Sequence, residues 1–592
     1  MTLSTLDAEQ LYFATLAGCH AVVRERETLN AINVFPVQDG DTGDNMAATA
    51  SAVIHHAALQ TSIKATLQSV ADASMTGARG NSGMIFSQFF NALADGAIEG
   101  EPLNMPRFSE LLQTASTRVR AAILNPVDGT MLTVMEFWST YTKDQMSHIP
   151  CFKALLQTIS KQLQDVVAQT TQTLAALKQA GVVDAGALGF FHFVNGFSRF
   201  IADPTTLPSM QSLPELAFNL EPEQCAHEHP TQGRYCTEAM IKGEHLDQQQ
   251  LMDTLKQYGD SIVVSVNAHL CRFHLHTDTP WAVFGALQTM GQLQMPKVDD
   301  MLRQFQTIYE RKHAIALVTD SNADLPPRAL DEHQIHQIAL NIHIDGHDFL
   351  DKYSITAEQF YDRLPLCKVH PKTSFPSILA IEQRLKPIAD KYSNVLVLSV
   401  SQALSGTHDA IKLAAEKYNH IYVMNSKHCS AAQGILLAEA AEKIEEQVSM
   451  SQLVEHLQSC IPHTHFWFMV RDLSALIRSG RINKLLGKMA QFSGVRLLFS
   501  MTPEGKAHLT GQAFSESAAL QKIIQAVKTK EQEGLRLKRY AVVHANALAE
   551  AKQFAMDTKQ AFHHTPDYVE SVSVSVGVHA GTGCVGLAAL FE

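Results

Sequence analysis

The sequence predicts a multidomain protein with an all-α N-terminal region, a small α+β middle domain and an α/β C-terminal domain. In the first 200 residues, apolar side chains recur at helical spacing. One such helix face consists of Tyr12, Leu16, Cys19 and Val23. Residues 261–269 and 271–278 instead alternate between apolar and polar side chains, which is typical of strands. From His313 onwards, strand-like runs are separated by helical stretches, which indicates an α/β domain with a largely parallel sheet.

Length and composition narrow the class of protein. A chain of 592 residues is long enough for about three or four domains. Hydrophobic residues make up 46% and charged residues 18%, which describes globular rather than disordered material. Lys and Arg total 47 against 59 Asp and Glu, and the resulting charge of −12 argues against a nucleic-acid partner.

Cysteine usage and apolar runs indicate where the protein is found. The nine scattered cysteines fit a reducing compartment better than a disulfide framework. Residues 1–10 lack the basic start and apolar run of a signal peptide. The longest apolar, uncharged run, residues 185–197, is too short to span a bilayer. We therefore expect a cytoplasmic protein that has no transmembrane segment and visits the inner membrane surface only transiently.

An acidic stretch at residues 30–46 organises the N-terminal region and reads N-A-I-N-V-F-P-V-Q-D-G-D-T-G-D-N-M. Asp39 and Asp41 are separated by Gly40, and Gly43 follows closely, so a tight loop is expected here. A third carboxylate so near would repel the first two unless a cation lay between them. Clustered carboxylate, amide and hydroxyl oxygens are ligands that Mg²⁺ accepts together with phosphates. A solvated acidic turn is the alternative.

A glycine-rich stretch follows at residues 77–83, reading G-A-R-G-N-S-G, directly before an apolar run. Such a stretch can open onto a helix N-terminus that presents backbone N–H groups to an anion. It lacks the spacing of a P-loop or a Rossmann turn, and a glycine-rich turn between helices explains it equally well. Two more loops between amphipathic helices read N-P-V-D-G-T-M from Asn125 and G-V-V-D-A-G-A-L-G from Gly181.

In this order, the four motifs resemble the nucleotide-binding domain of the dihydroxyacetone kinase L-type (DhaL) family, and more closely the ATP-binding subunit of bacterial fatty acid kinases. The resemblance implies an antiparallel helical barrel that binds Mg-ATP at one end. It implies that Asp39 and Asp41 hold Mg²⁺ and act in catalysis. Where the sugar kinases carry a further aspartate, this chain has Val34 beside Asn33, as in the fatty acid kinase pattern. The implied ATP-binding residues are Asn33, Thr42, Asn45, Gly80, Asn81, Ser82, Gly83, Thr130, Met131, Asp184 and Gly186.

A linker rich in Pro, Thr, Ser and Glu at residues 202–232 precedes the middle domain. After it, Cys236 lies in a predicted strand. His274 and His276 alternate along another strand, so both side chains point to one face. Two histidines and a distant cysteine can bind Zn²⁺, although surface hydrogen bonds are the simpler explanation of a bare H-x-H.

The segments Y-C-T-E and H-L-H-T resemble the middle domain that the ATP-binding subunits of fatty acid kinases carry. This resemblance implies that Cys236, His274 and His276 hold a structural Zn²⁺. A further ligand is left open among nearby residues. They are Cys225, His227, His229 and Cys271.

In the C-terminal half, polar residues follow the predicted strands. The strand-like runs are residues 314–319, 395–400, 421–424, 466–470, 540–543 and 572–578. Open α/β sheets bind ligands at the carboxyl edge, where such polar side chains gather. Helix N-caps explain Ser321 well, but they explain His544 and His579 poorly.

This half resembles the DegV family, the fatty-acid-binding partner of the same kinases. The motifs are V-T-D-S-N-A-D-L-P from Val318, K-T-S-F-P-S from Lys372, S-Q-A-L-S-G-T from Ser401 and G-V-H-A-G-T-G from Gly577. The resemblance implies that Thr373 and Ser405 hold the acyl carboxylate, with Ser321, Gly406 and His579 close by. It also implies that Arg471 and Arg481 lie towards the kinase. Ser479, Ala580 and Thr582 depart from the family pattern.

Together, these resemblances predict a fused fatty acid kinase that transfers the γ-phosphate of ATP to a fatty carboxylate. The expected domains are a kinase domain at 1–203, a linker and zinc-binding domain at 204–312, and a fatty-acid-binding domain at 313–592. A homodimer and an acyltransferase that takes the acyl phosphate are the expected partners. A lipid-binding or regulatory protein with an inactive kinase domain, and a small-polyol kinase, are the alternatives.

Overall fold

The computed structural model describes residues 3–35, 40–149, 151–206, 233–267, 269–471, 473–478 and 495–592. Asp39, Arg481, Cys225, His227 and His229 therefore lie outside the described residues. The chain forms two compact units. Unit 1 comprises residues 1–279 and 286–301, and unit 2 comprises residues 280–285 and 302–592. The predicted domain limits at 203 and 312 stay predictions.

The first part of unit 1 is helical. Its helices are α1 Ala8–Arg24, α2 Arg26–Ala31, α3 Thr42–His56, α4 Ile63–Gly77, α5 Gly80–Gly96, α6 Met105–Ala121, α7 Met131–Gln145, α8 Phe152–Thr173, α9 Ala175–Ala180 and α10 Ala185–Ala202. Two short strands, β1 Thr5–Leu6 and β2 Leu103–Asn104, pair antiparallel. The apolar run at 185–197 lies in α10, which is almost wholly buried and packs against α1 and α8. Phe86, Phe89, Phe190 and Trp138 form an aromatic core around it.

The second part of unit 1 is a four-stranded antiparallel sheet in the order β4-β5-β3-β6. Its elements are β3 Tyr235–Lys242, α11 Gln248–Leu255, β4 Asp260–Val266, β5 Leu270–Thr277 and β6 Gln292–Asp300. Strand β4 lies against the helical part, because Val264 N–H donates to Ala122 at 3.1 Å and Leu124 N–H donates to Ile262 at 3.0 Å. The α+β middle domain is thus packed onto the helices within one unit.

Unit 2 alternates helices and strands. α12 Pro280–Leu287 and α13 Met301–Tyr309 lie at the junctions of the two units. The remaining helices are α14 Pro327–Glu332, α15 Ala357–Arg363, α16 Ile378–Ala389, α17 Thr407–Ala415, α18 Ser430–Glu445, α19 Met450–Cys460, α20 Ser474–Arg478, α21 Glu516–Gln532, α22 Leu548–Phe562 and α23 Val574–Ala580. The strands are β7 Ile315–Asp320, β8 His336–Ile338, β9 Asn341–Ile344, β10 His347–Leu350, β11 Lys372–Ser374, β12 Asn394–Ser399, β13 Ile421–Asn425, β14 Thr464–Val470, β15 Arg496–Met501, β16 Ala507–Ala513, β17 Leu537–His544, β18 Val569–Ser571 and β19 Val585–Phe591.

The strands of unit 2 form three sheets. The sheet β13-β12-β7-β8 is parallel throughout, as predicted. The six-stranded sheet β16-β15-β14-β19-β17-β18 contradicts the prediction of a largely parallel arrangement, because only β17 and β18 pair parallel. β19, which was not predicted, lies antiparallel between β14 and β17 and reverses the direction of the sheet. A small antiparallel sheet, β10-β9-β11, completes the unit.

Two predicted elements are wrong. The sequence pattern of residues 51–73 predicts one helical segment, but these residues contain the end of α3 and the start of α4, where Ser62 caps the new helix by accepting from Ala65 N–H. Residues 572–578, expected as a strand, contain the start of α23. Ser573 caps that helix, and its first N–H, on Val574, donates to Asp351 at 2.9 Å. In both places a local cap overrides the apolar pattern.

The fold class predicted from the sequence is confirmed: a helical N-terminal region, a strand-containing middle domain and an α/β C-terminal domain. Within the described ranges, none of the helices is both long enough and apolar enough to cross a membrane.

Candidate functional site

The acidic loop ends at the start of α3, with Asp41 as the N-cap residue. The amide oxygen of Asn33 accepts from the backbone N–H groups of Asp41 at 3.2 Å and Thr42 at 2.8 Å. The Asn30 amide does the same for Asp44 N–H at 3.0 Å. Two asparagines therefore fix the first turn of the helix. Asn33 was predicted as a ligand residue; its oxygen contacts the loop backbone, and direct ligand contact stays a prediction.

The starts of α3 and α5 lie side by side. The hydroxyls of Thr42 and Ser82 are 3.4 Å apart. Gly80 has a positive φ of 55°, and a Cβ there would lie 2.2 Å from the Asn45 amide nitrogen. A Cβ on Gly83 would lie 2.7 Å from the Asn45 carbonyl oxygen. Only glycine permits this approach, which brings both helix ends to one place.

This arrangement suits an anion. The positive ends of two helix dipoles converge beside the Thr42 and Ser82 hydroxyls, although the N–H groups of Asp41, Thr42, Asp44 and Gly80 already donate to side chains of the protein. The Asn81 amide oxygen is buried without a hydrogen-bond partner among the residues described, and as an acceptor it suits a cation. With the Asp41 carboxylate at the same helix end, the donor set also fits a hard cation that bridges phosphates. We call the starts of α3 and α5 the candidate phosphate site.

The two remaining N-terminal motifs form the starts of α7 and α10. Thr130 is the N-cap residue of α7, and its hydroxyl donates to Val127. Asp184 caps α10 by accepting from Ala187 N–H at 2.7 Å. Burial raises the pKa of Asp184 to about 7, although the N–H groups of Ala187, Gly186 and Met131 lower it in part.

Two close contacts place these helix starts near each other and near α3. A Cβ on Gly186 would lie 3.4 Å from the side chain of Met131. A Cβ on Gly189 would lie 2.5 Å from the sulfur of Met46 in α3. The structure thus brings the described residues of all four predicted motifs to one end of the helical part, and residues 36–39 lie outside the described ranges. Their contacts with a nucleotide stay predictions.

The Cys-His-His cluster, Cys236 with His274 and His276, lies on paired strands. Cys236 stands opposite His276 in the β3–β5 register. The candidate ligand atoms of the three residues lie within 4.8 Å of one another. Nε2 of His274 is buried and, within the described part of the chain, has no hydrogen-bond partner. Burial lowers the pKa of His276 to about 3, so its imidazole is neutral at pH 7. A neutral imidazole, a second histidine and a thiol that gives up its proton on binding suit Zn²⁺.

Charged residues surround the Cys-His-His cluster, and one of them, Asp41, belongs to the acidic loop. Burial raises the pKa of the Cys236 thiol well above its ordinary value, and the carboxylates of Glu238 and Asp41 raise it further. Burial alone would raise the pKa of Glu238, but Lys297 and His274 hold it below its ordinary value. Cys271, one of the possible further ligands, is buried and points to the opposite face of β5, because strand side chains alternate.

A second group of potential ligands within the described ranges is Glu439, His456 and Cys460. The carboxylate of Glu439 already contacts Lys538 Nζ at 2.6 Å and Arg539 Nη1 at 3.0 Å. Two cations on the same carboxylate would repel a metal ion. We interpret this group as a buried ion-pair network.

In unit 2, the predicted acyl-binding residues come from three separate segments. Thr373 Oγ1 on β11 lies 3.1 Å from Nε2 of His579 on α23. A Cβ on Gly406 would lie 2.9 Å from the ring of Phe375, so the loop before α17 reaches the residue that directly follows β11. Ser405 Oγ lies 2.8 Å from Thr407 Oγ1. Hydroxyls and an imidazole in this arrangement could donate to a carboxylate.

Two other predicted site residues, Ser321 and Arg471, form hydrogen bonds or ion pairs within unit 2. Ser321 is fully buried; its hydroxyl donates to Asp351 at 2.8 Å and accepts from Leu340 N–H at 3.1 Å. Arg471 pairs with Glu516 at 2.7 Å and Glu550 at 3.1 Å. Their contacts with acyl chain or kinase stay predictions.

Sequence reasoning assigned no role to Glu238, which the structure places between the two sites of unit 1. Its Oε1 accepts from Gly80 N–H at 2.8 Å and lies 3.1 Å from Nδ1 of His274. The available signal was its spacing: two residues after Cys236 on a strand, Glu238 must face the same side.

Family models match three consecutive parts of the chain. The model described as "DAK2 domain" matches residues 36–199. The model for a fatty acid kinase-like middle domain matches residues 232–308, and the one described as "Uncharacterised protein, DegV family" matches residues 314–592. The family models therefore define a protein that joins a kinase-type helical domain to an α/β domain. More particularly, the chain carries a DAK2 domain, a fatty acid kinase-like middle domain and a DegV domain, in that order.

Curated relatives match part of the chain. Protein YloV of Bacillus subtilis is 27% identical over 323 residues, which is 53% of this chain and 58% of that protein. An uncharacterised protein of Staphylococcus saprophyticus is 26% identical over 328 residues, or 52% and 58% of the two chains. The matches thus span somewhat more than half the length of these relatives.

Solved structures match about half of the chain. DegV, a fatty acid binding protein from Bacillus subtilis, is matched over its whole length by 48% of this chain, at 24% identity and a TM-score of 0.43. A fatty acid binding DegV family protein from Streptococcus agalactiae is matched over 98% of its length by 47% of this chain, at 25% identity and a TM-score of 0.43. Fatty acid binding is what the names of those two proteins record.

Proposed function

We propose that this chain is a fatty acid kinase-like phosphotransferase, which transfers the γ-phosphate of ATP to the carboxylate of a fatty acid held in unit 2 and yields an acyl phosphate. The observation that carries the proposal is the candidate phosphate site, where the starts of α3 and α5 meet beside Asp41. The match to a fatty acid kinase-like middle domain supports a carboxylate acceptor.

Phosphoryl transfer from ATP to a carboxylate requires the protein mainly to align the two reactants and to compensate the negative charge of the phosphates. A fatty carboxylate is ionised at pH 7, so no strong general base is needed. The positive ends of the two helix dipoles and the hydroxyls of Thr42 and Ser82 would attract and bind the phosphate oxygens. Mg²⁺, held by Asp41 and the predicted ligand Asp39, would neutralise charge on the transferred phosphate.

The acyl group would be oriented by its carboxylate. Thr373 and His579 lie 3.1 Å apart and could both donate to one carboxylate, with Ser405 on the neighbouring loop. Arg481 and Arg471 are proposed to lie on the side that meets the kinase. The Cys-His-His cluster would hold a structural Zn²⁺. A homodimer, an acyltransferase that accepts the acyl phosphate, and a cytoplasmic location with transient membrane contact are parts of the same proposal.

The proposal is tested by incubating the full chain with ATP, Mg²⁺ and oleate and trapping acyl phosphate with hydroxylamine. We expect hydroxamate that depends on all three components. The double variant Thr373→Ala/Ser405→Ala should bind oleate at least about tenfold more weakly, since each lost charge-assisted hydrogen bond contributes roughly 1.5–3 kcal/mol. Ser451→Ala, an exposed serine of the same unit, is the control.

Lipid released from the purified protein and identified by mass spectrometry provides a second measurement. Bound fatty acid without any ATP-dependent hydroxamate would favour a lipid-binding protein with an inactive kinase domain. Phosphorylation of dihydroxyacetone without oleate binding would favour the small-polyol kinase.

A further inference from the structure

Glu238 joins the two sites of unit 1 through a single carboxylate oxygen. Its side chain is fully buried, and Oε1 accepts from Gly80 N–H at 2.8 Å. The same oxygen lies 3.1 Å from Nδ1 of His274 and 3.7 Å from Nζ of Lys297. One atom therefore contacts the first N–H of α5 and a member of the Cys-His-His cluster.

The contact to Gly80 affects the geometry of the candidate phosphate site. Gly80 is the first residue of α5, and its positive φ of 55° places the following N–H groups. Because the free N–H groups of a first helical turn are those that bind anions, the orientation of this turn decides how well phosphate fits. Glu238 anchors the turn from the sheet side.

The contact to His274 ties the same carboxylate to the cluster. Nδ1 of His274 lies 3.1 Å from Oε1 of Glu238, and Sγ of Cys236 lies 3.6 Å from that nitrogen and 3.7 Å from that oxygen. The carboxylate thus borders two candidate ligands of the cluster, and loss of a carboxylate in contact with metal ligands weakens metal binding. Without a cation in the cluster, fewer positive charges would offset Glu238, which lies next to the proposed ATP phosphates.

The sheet and α5 are tightly packed against each other, so a shift of Glu238 would also move the start of α5. Ser265 on β4 donates to Gln88 at 2.7 Å and accepts from Asn91 at 2.8 Å, both on α5. These buried hydrogen bonds hold the sheet to the helix that begins at Gly80. A change at the cluster therefore acts on the start of α5 instead of being lost between loosely packed parts.

We propose that Glu238 is a positioning residue that couples occupancy of the Cys-His-His cluster to nucleotide binding, so that Zn²⁺ and ATP bind cooperatively. This inference rests on the proposed function, because it assumes that ATP binds at the candidate phosphate site. By thermodynamic linkage, Zn²⁺ must raise ATP affinity by the same factor by which ATP raises Zn²⁺ affinity.

The test measures binding by the full chain, not turnover. The dissociation constant of ATP with Mg²⁺ is measured by calorimetry on zinc-loaded protein and on protein stripped by a chelator. The dissociation constant of Zn²⁺ is measured with and without ATP. We expect both ratios to be at least tenfold and equal within error. ATP affinities within twofold of each other would overturn the coupling.

Substitutions then test whether the coupling between Zn²⁺ and ATP depends on Glu238. In Glu238→Met, which has no acceptor oxygen, the ratio should fall below two. Glu244→Met replaces an exposed glutamate in the loop after β3 and should keep the wild-type ratio. If Glu244→Met loses the ratio as fully as Glu238→Met, the assignment to Glu238 is wrong. Should Glu238→Met fail to fold, the isosteric Glu238→Gln decides: we expect at least a threefold smaller ratio, and an unchanged one contradicts the proposal.

The two proposals fail in different ways. If wild-type protein binds no ATP in either metal state, the kinase proposal itself is overturned. If ATP binds but the ratio is near one, the kinase proposal stands and only the coupling is lost.

Discussion

Asp41 is the described carboxylate best placed to act on a bound nucleotide, because it caps α3 beside Thr42. We predict that Asp41→Asn, alone or with Asp39→Asn, lowers ATP-dependent hydroxamate formation at least about 100-fold, since it removes charge that would hold Mg²⁺ at the phosphates. The melting temperature should change little, because Asp41 is only half-buried.

Asp44 provides the matched control. It lies in the same turn but is exposed and pairs with Arg26 at 3.2 Å. Asp44→Asn should keep at least half of the activity. Equal losses in Asp41→Asn and Asp44→Asn would mean that the loop acts only through its net charge.

Asp184 gives a prediction about pH. Burial raises its pKa to about 7 in the folded protein, against an ordinary value of 3.8. Its contribution to stability is therefore complete below pH 3.8 and is lost as the pH rises through 7, by at most about 4 kcal/mol. Asp184→Asn keeps an oxygen that can cap α10 but cannot ionise. The melting temperature of the variant relative to wild type should rise from pH 5 to pH 8, measured without nucleotide.

The control for this prediction is Asp247→Asn, which changes another N-cap residue, on α11. Asp247 is exposed, and its variant should show no such trend between pH 5 and pH 8. If the difference in melting temperature between Asp184→Asn and wild type does not change with pH, burial does not raise the pKa of the Asp184 carboxyl.

The close contact between α2 and α3 positions the first turn of α3, which forms part of the candidate phosphate site. Gly43 lies in the first turn of α3, where Ala would normally be favoured by about 1 kcal/mol. A Cβ there would lie 2.0 Å from the Arg26 carbonyl oxygen and 2.7 Å from the Asn30 amide oxygen. We therefore expect Gly43→Ala to lower the free energy of unfolding by about 1–3 kcal/mol and to weaken ATP binding, measured by urea denaturation and calorimetry.

Gly100→Ala separates this clash from a general effect of replacing glycine. Gly100 has a positive φ of 78°, but a Cβ there would have no atom within 4 Å. Its variant should cost about 1 kcal/mol and leave ATP affinity unchanged. A stabilised Gly43→Ala protein would refute the close approach of α2 and α3.

The sequence predicted elements well where a single local signal dominated. The helix starts after the acidic and glycine-rich stretches, and the strands that carry Cys236, His274 and His276, followed from glycines and from alternation. The α23 segment was missed because V-S-V-S-V-G-V alternates like a strand, whereas Ser573 and Asp351 together cap a helix. Asp351 is distant in the sequence, so no local pattern could reveal it. Glu238 was left without a role for the same reason: its partner Gly80 is 158 residues away.

The topology of the six-stranded sheet in unit 2 shows that the order and direction of strands could not be predicted from local sequence either. In this sheet, β14 and β17 were predicted from their own residues, whereas β15, β16, β18 and β19 were not, and the direction of each strand depends on which strands become its neighbours. β19 at residues 585–591 pairs with β14, more than 110 residues earlier, and with β17. Pairings between distant segments are fixed by tertiary packing and not by local pattern.

The border of unit 2 predicts how separated fragments behave. α13 belongs mainly to this unit, and its Arg303 is buried, donating to Asp331 at 2.8 Å and to the Leu330 carbonyl at 2.9 Å. A fragment of residues 302–592 keeps these bonds, whereas a fragment of residues 313–592 loses them. We expect the longer fragment to be more stable by at least about 2 kcal/mol, measured by urea denaturation.

A variant distinguishes the contribution of Arg303 from that of chain length. Arg303→Met in residues 302–592 should remove most of the difference, while the exposed Arg328→Met should not. Identical denaturation midpoints for the two wild-type fragments would place the border of the unit at residue 313.

The chain passes between the units three times, because residues 280–285 belong to unit 2 and residues 286–301 return to unit 1. This threading limits modular exchange. Replacing unit 2 with a homologous domain, as an engineer would do to change the fatty acid used in the proposed reaction, cannot be done with one junction. The graft must bring residues 280–285 along with 302–592 and leave β6 in place, since β6 completes the sheet that contains Cys236.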